Sequence, residues 1–459
     1  MRKILWALFL LSAAACGDDS TGNDATTGGS GTTTGTGTAA TGTGGSEASG
    51  GGGSGAGAGG ATASSGSGSE GGGGSGDGGG GGTPGEARWV GTWGTGPQLT
   101  EPHNNPPEPG LSNNTLRQVI YTSIGGARVR LRLSNEFGNG PVTMNAVHIA
   151  KAATAGAIDA GTDKALTFSG AASVTIPQGE AVFSDPIDYA LEPLTKTSLT
   201  IHFGDVPTEI TGHPGSRTTS YLQTGDAVSA ATFASPVTTD HWYYITGLDV
   251  VDPDASALVV LGDSITDGRG SITNENTRWP DYLSRRLRAN EETADVAVLN
   301  MGIGGNNVLT GGLGPTAIQR FQRDVLDQRG ARFLIIYEGV NDIGGSSDAG
   351  VASRLIEAFS DFIDDAHAAD MLVYGVPILP FGGNTNYDSP AHQQAREEVN
   401  EWIRTSNKFD AVIDLDAAVR DPNDPTKLLS TYDTGDHLHL NPEGYEKMAD
   451  SIDLELFSQ

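Results

Sequence analysis

From residue 257 onward, short apolar runs alternate with stretches of helical periodicity, and this alternation constrains the fold more than any other feature of the chain. The apolar runs are ALVVLG, VAVLNMGI, FLIIYEGV, MLVYGVPIL and FDAVIDL. Runs of this kind are typical of strands buried on both faces of a parallel sheet. Between them, AIQRFQRDVLDQR places Ile318, Phe321, Val325 and Leu326 on one helical face. We therefore predict a doubly wound, flavodoxin-like α/β domain of about five parallel strands over residues 253–459.

Residues 88–252 have a different periodicity. In RVRLRLS (128–134) and SLTIHF (198–203), apolar and polar residues alternate with period two, which predicts strands with one buried and one solvated face. Turn residues separate such runs and no long helical pattern intervenes, so we predict an antiparallel β-sandwich or jelly roll. One stretch, HPGSRTTSY (213–221), is interpreted as a solvated loop; the alternative is that it reaches across to the rim of a site in the α/β domain.

The first 87 residues predict export and tethering. Residues 1–15 have two basic residues, a short apolar run and a small-residue end, the layout of a signal peptide. The end of this segment resembles a bacterial lipoprotein signal, with Cys16 as the lipidated residue; the alternative is ordinary cleavage that leaves a free cysteine. Residues 16–87, rich in Gly, Ser and Thr, predict a disordered tether. We expect an exported protein, lipid-anchored at the bacterial cell envelope or otherwise secreted.

Charge and motif content exclude several kinds of partner. The formal net charge of −29 argues against nucleic-acid binding, because that function needs basic patches to neutralise phosphates. The sequence has no C-x-x-C, no H-E-x-x-H and no EF-hand loop. We therefore expect no metal and no cofactor, and a membrane contact only through the N-terminal anchor. The oligomeric state cannot be inferred from this sequence.

Ser264 lies in VVLGDSITDG, where the first apolar run of the α/β half ends. One interpretation is a helix cap, since Ser and Asp side chains accept hydrogen bonds from the first N–H groups of a helix. A second is a phosphate-binding loop, but the stretch lacks the spacing of the common glycine-rich phosphate motifs. A third is a nucleophile, because open α/β sheets place their ligand crevices at the carboxyl ends of strands.

Candidate partners for Ser264 follow other predicted strands. Asp436 and His439 are three residues apart in GDHLHLNPEGY, close enough for the carboxylate to orient the imidazole while its other nitrogen takes the serine proton. Gly305, in NMGIGGN, supplies an N–H that a substrate can approach closely, and Asn341, in YEGVNDIG, supplies a side-chain donor. Glycine and asparagine are also ordinary turn residues, so these two positions alone leave that interpretation open.

Taken together, the blocks GDSITDG, NMGIGGN, EGVND and DHLH occur in the order and approximate spacing of the GDSL family, the SGNH hydrolases. From about Trp89 onward the chain resembles the bacterial and fungal branch that carries a β-domain in front. The resemblance implies a catalytic triad of Ser264, Asp436 and His439. It also implies an oxyanion hole formed by the backbone N–H of Ser264, Gly305 and Asn341.

Two neighbouring residues are alternatives within these blocks. Gly304 replaces Gly305 if the second block is shifted by one, and His437 lies close to His439 but lacks the Asp-x-x-His spacing, so we interpret it as a loop residue. The expected function is a serine esterase acting on carboxylic esters, with short acyl or acetylated carbohydrate esters favoured over long-chain lipids. The alternatives are a lipase or lysophospholipase of the same fold, and a glycan- or surface-binding protein with a catalytically idle scaffold.

Overall fold

The computed structural model describes residues 88–458. The predicted signal peptide, Cys16 and the predicted tether of residues 16–87 lie outside the described residues. The described residues belong to one compact unit. Among them, no helix combines the length and the apolar character needed to cross a bilayer.

The region before residue 252 is built from strands. β1 to β15 span Trp89–Gly94, Gln98–Leu99, Asn114–Tyr121, Gly126–Ser134, Val142–Lys151, Lys164–Leu166, Val174–Ile176, Ala181–Phe183, Ile187–Leu191, Lys196–Phe203, Thr211–His213, Ser220–Thr224, Val237–Thr239, Trp242–Tyr243 and Ile245–Val251. One antiparallel sheet has the order β1-β15-β4-β8, with β9 also on β4; a second has the order β13-β12-β3-β10-β5-β6, with β7 also on β5. A small third sheet has the order β14-β11-β2. The prediction of a β-rich region in front of the α/β domain is confirmed.

The period-two pattern is realised in β4, where Val129, Leu131 and Leu133 are fully buried and the arginines between them are not. In β10 the expectation of a solvated face is wrong, because Thr200 is also buried. Arg117 lies over it, donating from Nε to the Thr200 hydroxyl at 2.9 Å. The polar face of this strand is therefore covered by protein.

A five-stranded parallel sheet follows, and it confirms the predicted α/β fold. Its strands, β16 to β20, are Ser256–Gly262, Val296–Gly302, Ala331–Tyr337, Leu372–Gly375 and Ala411–Val412, in the order β17-β16-β18-β19-β20. The hairpin strands β21 and β22 are Arg420–Asp421 and Asp424–Leu428. The helices, α1 to α8, are Ser264–Asp267, Trp279–Ala289, Ala317–Phe321, Val340–Gly344, Val351–Ala368, Pro390–Thr405, Leu415–Val419 and Pro442–Asp450.

The helix predicted around residues 317–329 differs in detail from the structure. Five residues of α-helix are followed by a π-helical turn over Gln322–Leu326. The wider turn shifts the buried face, so that Phe321 and Val325 are buried whereas Ile318 is 50% exposed. The prediction that Ile318 shares their face is wrong.

Strand β1 of the β-rich region packs directly on β17 of the parallel sheet. A Cβ added to Gly91 would lie 3.0 Å from Leu299, and one added to Gly94 would lie 2.5 Å from Met301. One hydrophobic cluster accordingly contains buried residues of both regions. The division between residues 252 and 253 stays a prediction about domains.

Candidate active site

The turn after β16 places Ser264 at the carboxyl end of the parallel sheet. Ser264 is the first residue of α1, and the Asp263 side chain caps this helix by accepting the Ile265 N–H at 2.9 Å. The helix folds back so closely that a Cβ at Gly262 would lie 2.2 Å from Thr266. The strand therefore turns into the helix within two residues and leaves the serine hydroxyl at the sheet edge.

The structure brings Ser264, His439 and Asp436 together. Ser264 Oγ lies 2.8 Å from His439 Nε2, and His439 Nδ1 lies 2.6 Å from Asp436 Oδ2. Ser264 and His439 are 7% and 6% exposed. A neutral imidazole that donates from Nδ1 to the carboxylate presents its Nε2 lone pair to the hydroxyl, which is the arrangement for removing the serine proton.

Asp436 is held in place by several donors. Its Oδ1 accepts the backbone N–H groups of Leu438 and His439 at 3.0 and 2.8 Å and the Thr434 hydroxyl at 3.0 Å. Burial opposes ionisation of this carboxyl, but the hydrogen bonds and charge of His439 outweigh it and hold the pKa of Asp436 well below its usual value. The carboxylate is therefore ionised and oriented toward His439.

His437 has a different partner. Its Nδ1 lies 2.7 Å from Asp433 Oδ2, and its side chain is 49% exposed. Its backbone has a positive φ of 60°, which turns the chain between the two histidines. The structure thus pairs Ser264 with His439, while His437 lies on the exposed loop.

The predicted oxyanion groups lie on adjoining loops. Asn341 is the second residue of α4, which follows β18, and its Nδ2 donates to the Asn306 carbonyl at 2.8 Å, next to Gly305. Gly305 has a φ of +67°, a conformation that favours glycine. Among the described residues, neither the Ser264 N–H nor the Gly305 N–H donates to a backbone carbonyl outside the helices and strands. Their role in binding an oxyanion stays a prediction.

A fully buried arginine ties these loops to the sheet. Arg320 donates from Nη2 to the Gly262 carbonyl and to Glu338, both at 3.0 Å, and from Nη1 to the Met301 carbonyl at 2.5 Å. Its Nε donates to Asn306 Oδ1 at 3.0 Å. One side chain thus binds the ends of β16 and β17, the residue after β18, and the loop that carries Gly305.

Burial raises the pKa values of two carboxyl groups, those of Asp263 and Glu338. Burial raises the pKa of Asp263 to about 7, against the opposing effect of the hydrogen bond from Ile265. Burial and the nearby Asp263 raise the pKa of Glu338 well above its usual value, although Arg320 lowers it. Clustered carboxyl groups in a low dielectric disfavour one another's ionisation.

The β-rich region reaches the helix that carries Ser264. His213 is buried; its Nε2 lies 3.0 Å from Asp267 Oδ1 and its Nδ1 lies 2.9 Å from the Gly96 carbonyl. Arg278 donates to the carbonyls of both Asp267 and Ser216. The interpretation of residues 213–221 as a solvated loop is therefore wrong at these positions, because the stretch packs against α1 and the segment after it.

Comparison with known families agrees with this geometry. The profile of the GDSL-like Lipase/Acylhydrolase family matches residues 258–452. This segment contains all the blocks GDSITDG, NMGIGGN, EGVND and DHLH. Residues 258–452 form a GDSL-like lipase/acylhydrolase domain. The resemblance inferred from the four blocks is thereby confirmed for this lipase/acylhydrolase domain, which coincides with the parallel sheet and its helices.

Several solved structures are similar to part of the chain. They include a lipase/acylhydrolase from Enterococcus faecalis, with 19% identity, coverage of 44% of this chain and 95% of that one, and a TM-score of 0.34. A variant of an acetylxylan esterase from Geobacillus stearothermophilus has 19% identity, coverage of 43% and 93%, and a TM-score of 0.34. A GDSL-like lipase from Bacteroides thetaiotaomicron has 20% identity, coverage of 42% and 84%, and a TM-score of 0.31. No curated protein matches the chain.

Sequence reasoning missed three residues of the lipase/acylhydrolase domain that contact the candidate site. Tyr387 donates to Asn341 Oδ1 at 2.7 Å, and Asn384 donates to the Asp436 carbonyl at 2.8 Å. Arg320 lies in a segment that reads as an ordinary amphipathic helix. No spacing links these residues to the four blocks, so only the folded chain identifies them.

Proposed function

We propose that this protein is a serine carboxylic ester hydrolase that works through an acyl-enzyme at Ser264. The observation that carries the proposal is the chain of two hydrogen-bond contacts, 2.8 Å from Ser264 to His439 and 2.6 Å from His439 to Asp436. Nucleophile, base and orienting acid lie within hydrogen-bond reach of one another, which is the geometric requirement for nucleophilic catalysis.

In the acylation step, Ser264 Oγ attacks the ester carbonyl carbon while His439 Nε2 removes the hydroxyl proton. Asp436, kept ionised by its donors, stabilises the imidazolium that forms. The carbonyl oxygen becomes an oxyanion, and the N–H groups of Ser264 and Gly305 and the Asn341 amide receive it. His439 then gives its proton to the leaving alkoxide, which departs as the alcohol.

Deacylation repeats this chemistry with water. His439 removes a proton from water, the resulting hydroxide attacks the acyl carbonyl, and the bond to Ser264 Oγ breaks. The proton returns to the serine oxygen, and the carboxylic acid is released. The steps balance with the ester and water as the only reactants.

We favour short acyl or acetylated carbohydrate esters as substrates. Among the described residues, the large apolar side chains that are exposed are those of Leu99, Val237, Ile272, Leu313, Ile318 and Val412. Binding to a lipid interface needs a large contiguous apolar surface, and six side chains that are each 37–53% exposed supply little apolar area for one. The signal-like N-terminus supports export, with anchoring through Cys16 as the further proposal.

The test uses the full-length chain, its Ser264→Ala variant and, as a matched control, Ser271→Ala on the loop after α1. Hydrolysis of p-nitrophenyl acetate, butyrate and palmitate is measured for each. We expect turnover of the acetate and butyrate by the wild type and the control, and none by Ser264→Ala. A fluorophosphonate should label Ser264 in the wild-type chain.

The outcomes separate the candidate functions. Preference for palmitate would favour the lipase alternative over the short-acyl esterase. A folded wild-type chain that neither turns over any of the esters nor reacts with the fluorophosphonate would overturn the nucleophile assignment and favour the binding scaffold. Retained turnover in Ser264→Ala would place the nucleophile elsewhere.

A further inference from the structure

Tyr387 lies in the segment between β19 and α6 and contacts Asn341, the predicted oxyanion donor. Its hydroxyl oxygen lies 2.7 Å from Asn341 Oδ1. An amide oxygen only accepts hydrogen bonds, so the phenol donates. On the other side of the amide, Asn341 Nδ2 donates to the Asn306 carbonyl at 2.8 Å. These two partners fix the orientation of the amide, because the reverse orientation would set carbonyl oxygen against amide oxygen.

The contacts leave one hydrogen-bonding group of Asn341 unused. The amide nitrogen carries two protons, and Asn306 takes one of them. The second proton is available to an oxyanion at Ser264. A hydrogen bond accepted at Oδ1 also polarises the amide and strengthens donation from Nδ2.

The segment holds Tyr387 firmly against α4. A Cβ at Gly344 would lie 2.4 Å from the Tyr387 ring, so the ring packs directly on the helix that carries Asn341. The Tyr387 N–H donates to Asn384 Oδ1 at 3.0 Å, and Asn384 Nδ2 donates to the Asp436 carbonyl at 2.8 Å. The same segment therefore contacts both sides of the candidate site.

The phenol is a neutral donor in this environment. Burial and the nearby Asp263 raise the pKa of Tyr387 above its usual value, and Arg269 opposes this only in part. A hydroxyl that keeps its proton keeps its hydrogen bond to Asn341 throughout the neutral range.

We propose that Tyr387 is a positioning residue of the oxyanion site, whose hydroxyl holds the Asn341 amide in the orientation that directs its free N–H toward the oxyanion. The proposal rests on the proposed ester hydrolysis at Ser264. Tyr387 acts through Asn341, so its contribution is confined to states in which the carbonyl oxygen carries charge. Such a contribution lowers the barrier without changing ground-state binding.

The experiment compares full-length wild type with Tyr387→Phe, which removes the hydroxyl and keeps the ring. With p-nitrophenyl acetate we expect kcat to fall about 10-fold while KM changes less than about twofold. The matched control is Tyr374→Phe. Tyr374 lies in β19, and its hydroxyl donates to the Leu456 carbonyl at 2.5 Å. We expect Tyr374→Phe to keep wild-type kcat.

Two further measurements distinguish positioning from a structural role. A trifluoromethyl ketone, which forms an oxyanion with the serine, should lose affinity for Tyr387→Phe by the same factor as kcat/KM. In an Asn341→Ala background, Tyr387→Phe should have no further effect on kcat, because the amide that it positions is gone.

Several results would overturn the proposal. One is a kcat of Tyr387→Phe equal to that of the wild type, when the wild type is active and Ser264→Ala is inactive. Another is a 10-fold loss that persists in the Asn341→Ala background. Absence of wild-type turnover would instead remove the proposed function itself, and the oxyanion role with it. If circular dichroism shows that Tyr387→Phe does not fold, Tyr387→His, which keeps a hydrogen-bond donor, is compared with Tyr387→Leu, which has none. An equal kcat in these two variants would overturn the role of the donor.

Discussion

Removing the His213 imidazole should destabilise the fold, because it leaves a buried carboxylate without its partner. The side chains of His213 and Asp267 are each 4% exposed, and their Nε2 and Oδ1 atoms are 3.0 Å apart. The other ring nitrogen, Nδ1, lies 2.9 Å from the Gly96 carbonyl. Among the described residues, no other side chain or backbone N–H donates to the Asp267 carboxylate.

The size of the effect follows from this burial. Removing one partner of a buried hydrogen bond costs about 1–3 kcal/mol, because the remaining polar group is left unsatisfied. Unfolding roughly 370 residues carries an entropy of about 0.8 kcal/mol/K, so the His213→Ala variant should melt about 1–4 °C below the wild type. The double variant His213→Ala/Asp267→Ala should be more stable than the sum of the two single losses implies, by about 0.5–3 kcal/mol.

The assay is thermal unfolding of the full-length chains at pH 7, followed by calorimetry. His367→Ala is the matched control, because His367 lies 2.9 Å from Asp410 and the two side chains are 39% and 33% exposed, and such exposed pairs contribute little. A His213→Ala variant that melts within about 1 °C of the wild type would refute the argument. So would a double variant whose loss equals the sum of the single losses.

Four further predictions concern the candidate site. Asn341→Ala should lower kcat on p-nitrophenyl acetate on the order of 100- to 1,000-fold; a loss below threefold would contradict the oxyanion role. Asp436→Asn should lower kcat by roughly 10⁴-fold at pH 7, as expected for loss of the acid that orients the base; pre-steady-state kinetics would locate the loss in acylation, and near-normal kcat would contradict the triad. The folded pKa of Asp263 is raised to about 7, so its contribution to stability is present below about pH 4 and is lost as pH rises through 7. Asp263→Asn keeps a good helix cap and has no carboxyl to ionise, so its melting temperature should rise relative to that of the wild type between pH 5 and 8. A difference in melting temperature that stays constant over this range would contradict the raised pKa. Gly302→Ala should destabilise the chain by about 1–3 kcal/mol in denaturant titrations, because the new Cβ would lie 2.3 Å from the Asp267 nitrogen; an unchanged midpoint would contradict this close packing.

Much of the fold could be predicted because its signals are local. Each parallel strand coincides with a continuous apolar run, and strand ends meet at one edge of a sheet whatever the loop lengths between them. The contact between Asp436 and His439 was predictable for the same reason, since three residues separate them on one loop. The four sequence blocks therefore indicated which side chains the structure brings together.

The remaining contacts depend on residues that are distant in sequence. Tyr387 and Asn341 are 46 residues apart, and His213 and Asp267 are 54 residues apart. The turn-rich composition of residues 213–221 favoured a solvated loop, but packing on α1 buries His213. Ile318 was misplaced because a π-helical turn is not encoded in a simple 3.6-residue period.

The close approach of β1 to β17 has a consequence for the history of the chain. Gly91 and Gly94 face Leu299 and Met301 across an interface with no room for a Cβ at Gly94. Large side chains on one surface are tolerated only while glycine is kept on the other. The two regions are therefore coupled in the substitutions that they accept. A β-rich region recombined from another lineage would fit this sheet only if it also carried glycine at the positions of Gly91 and Gly94.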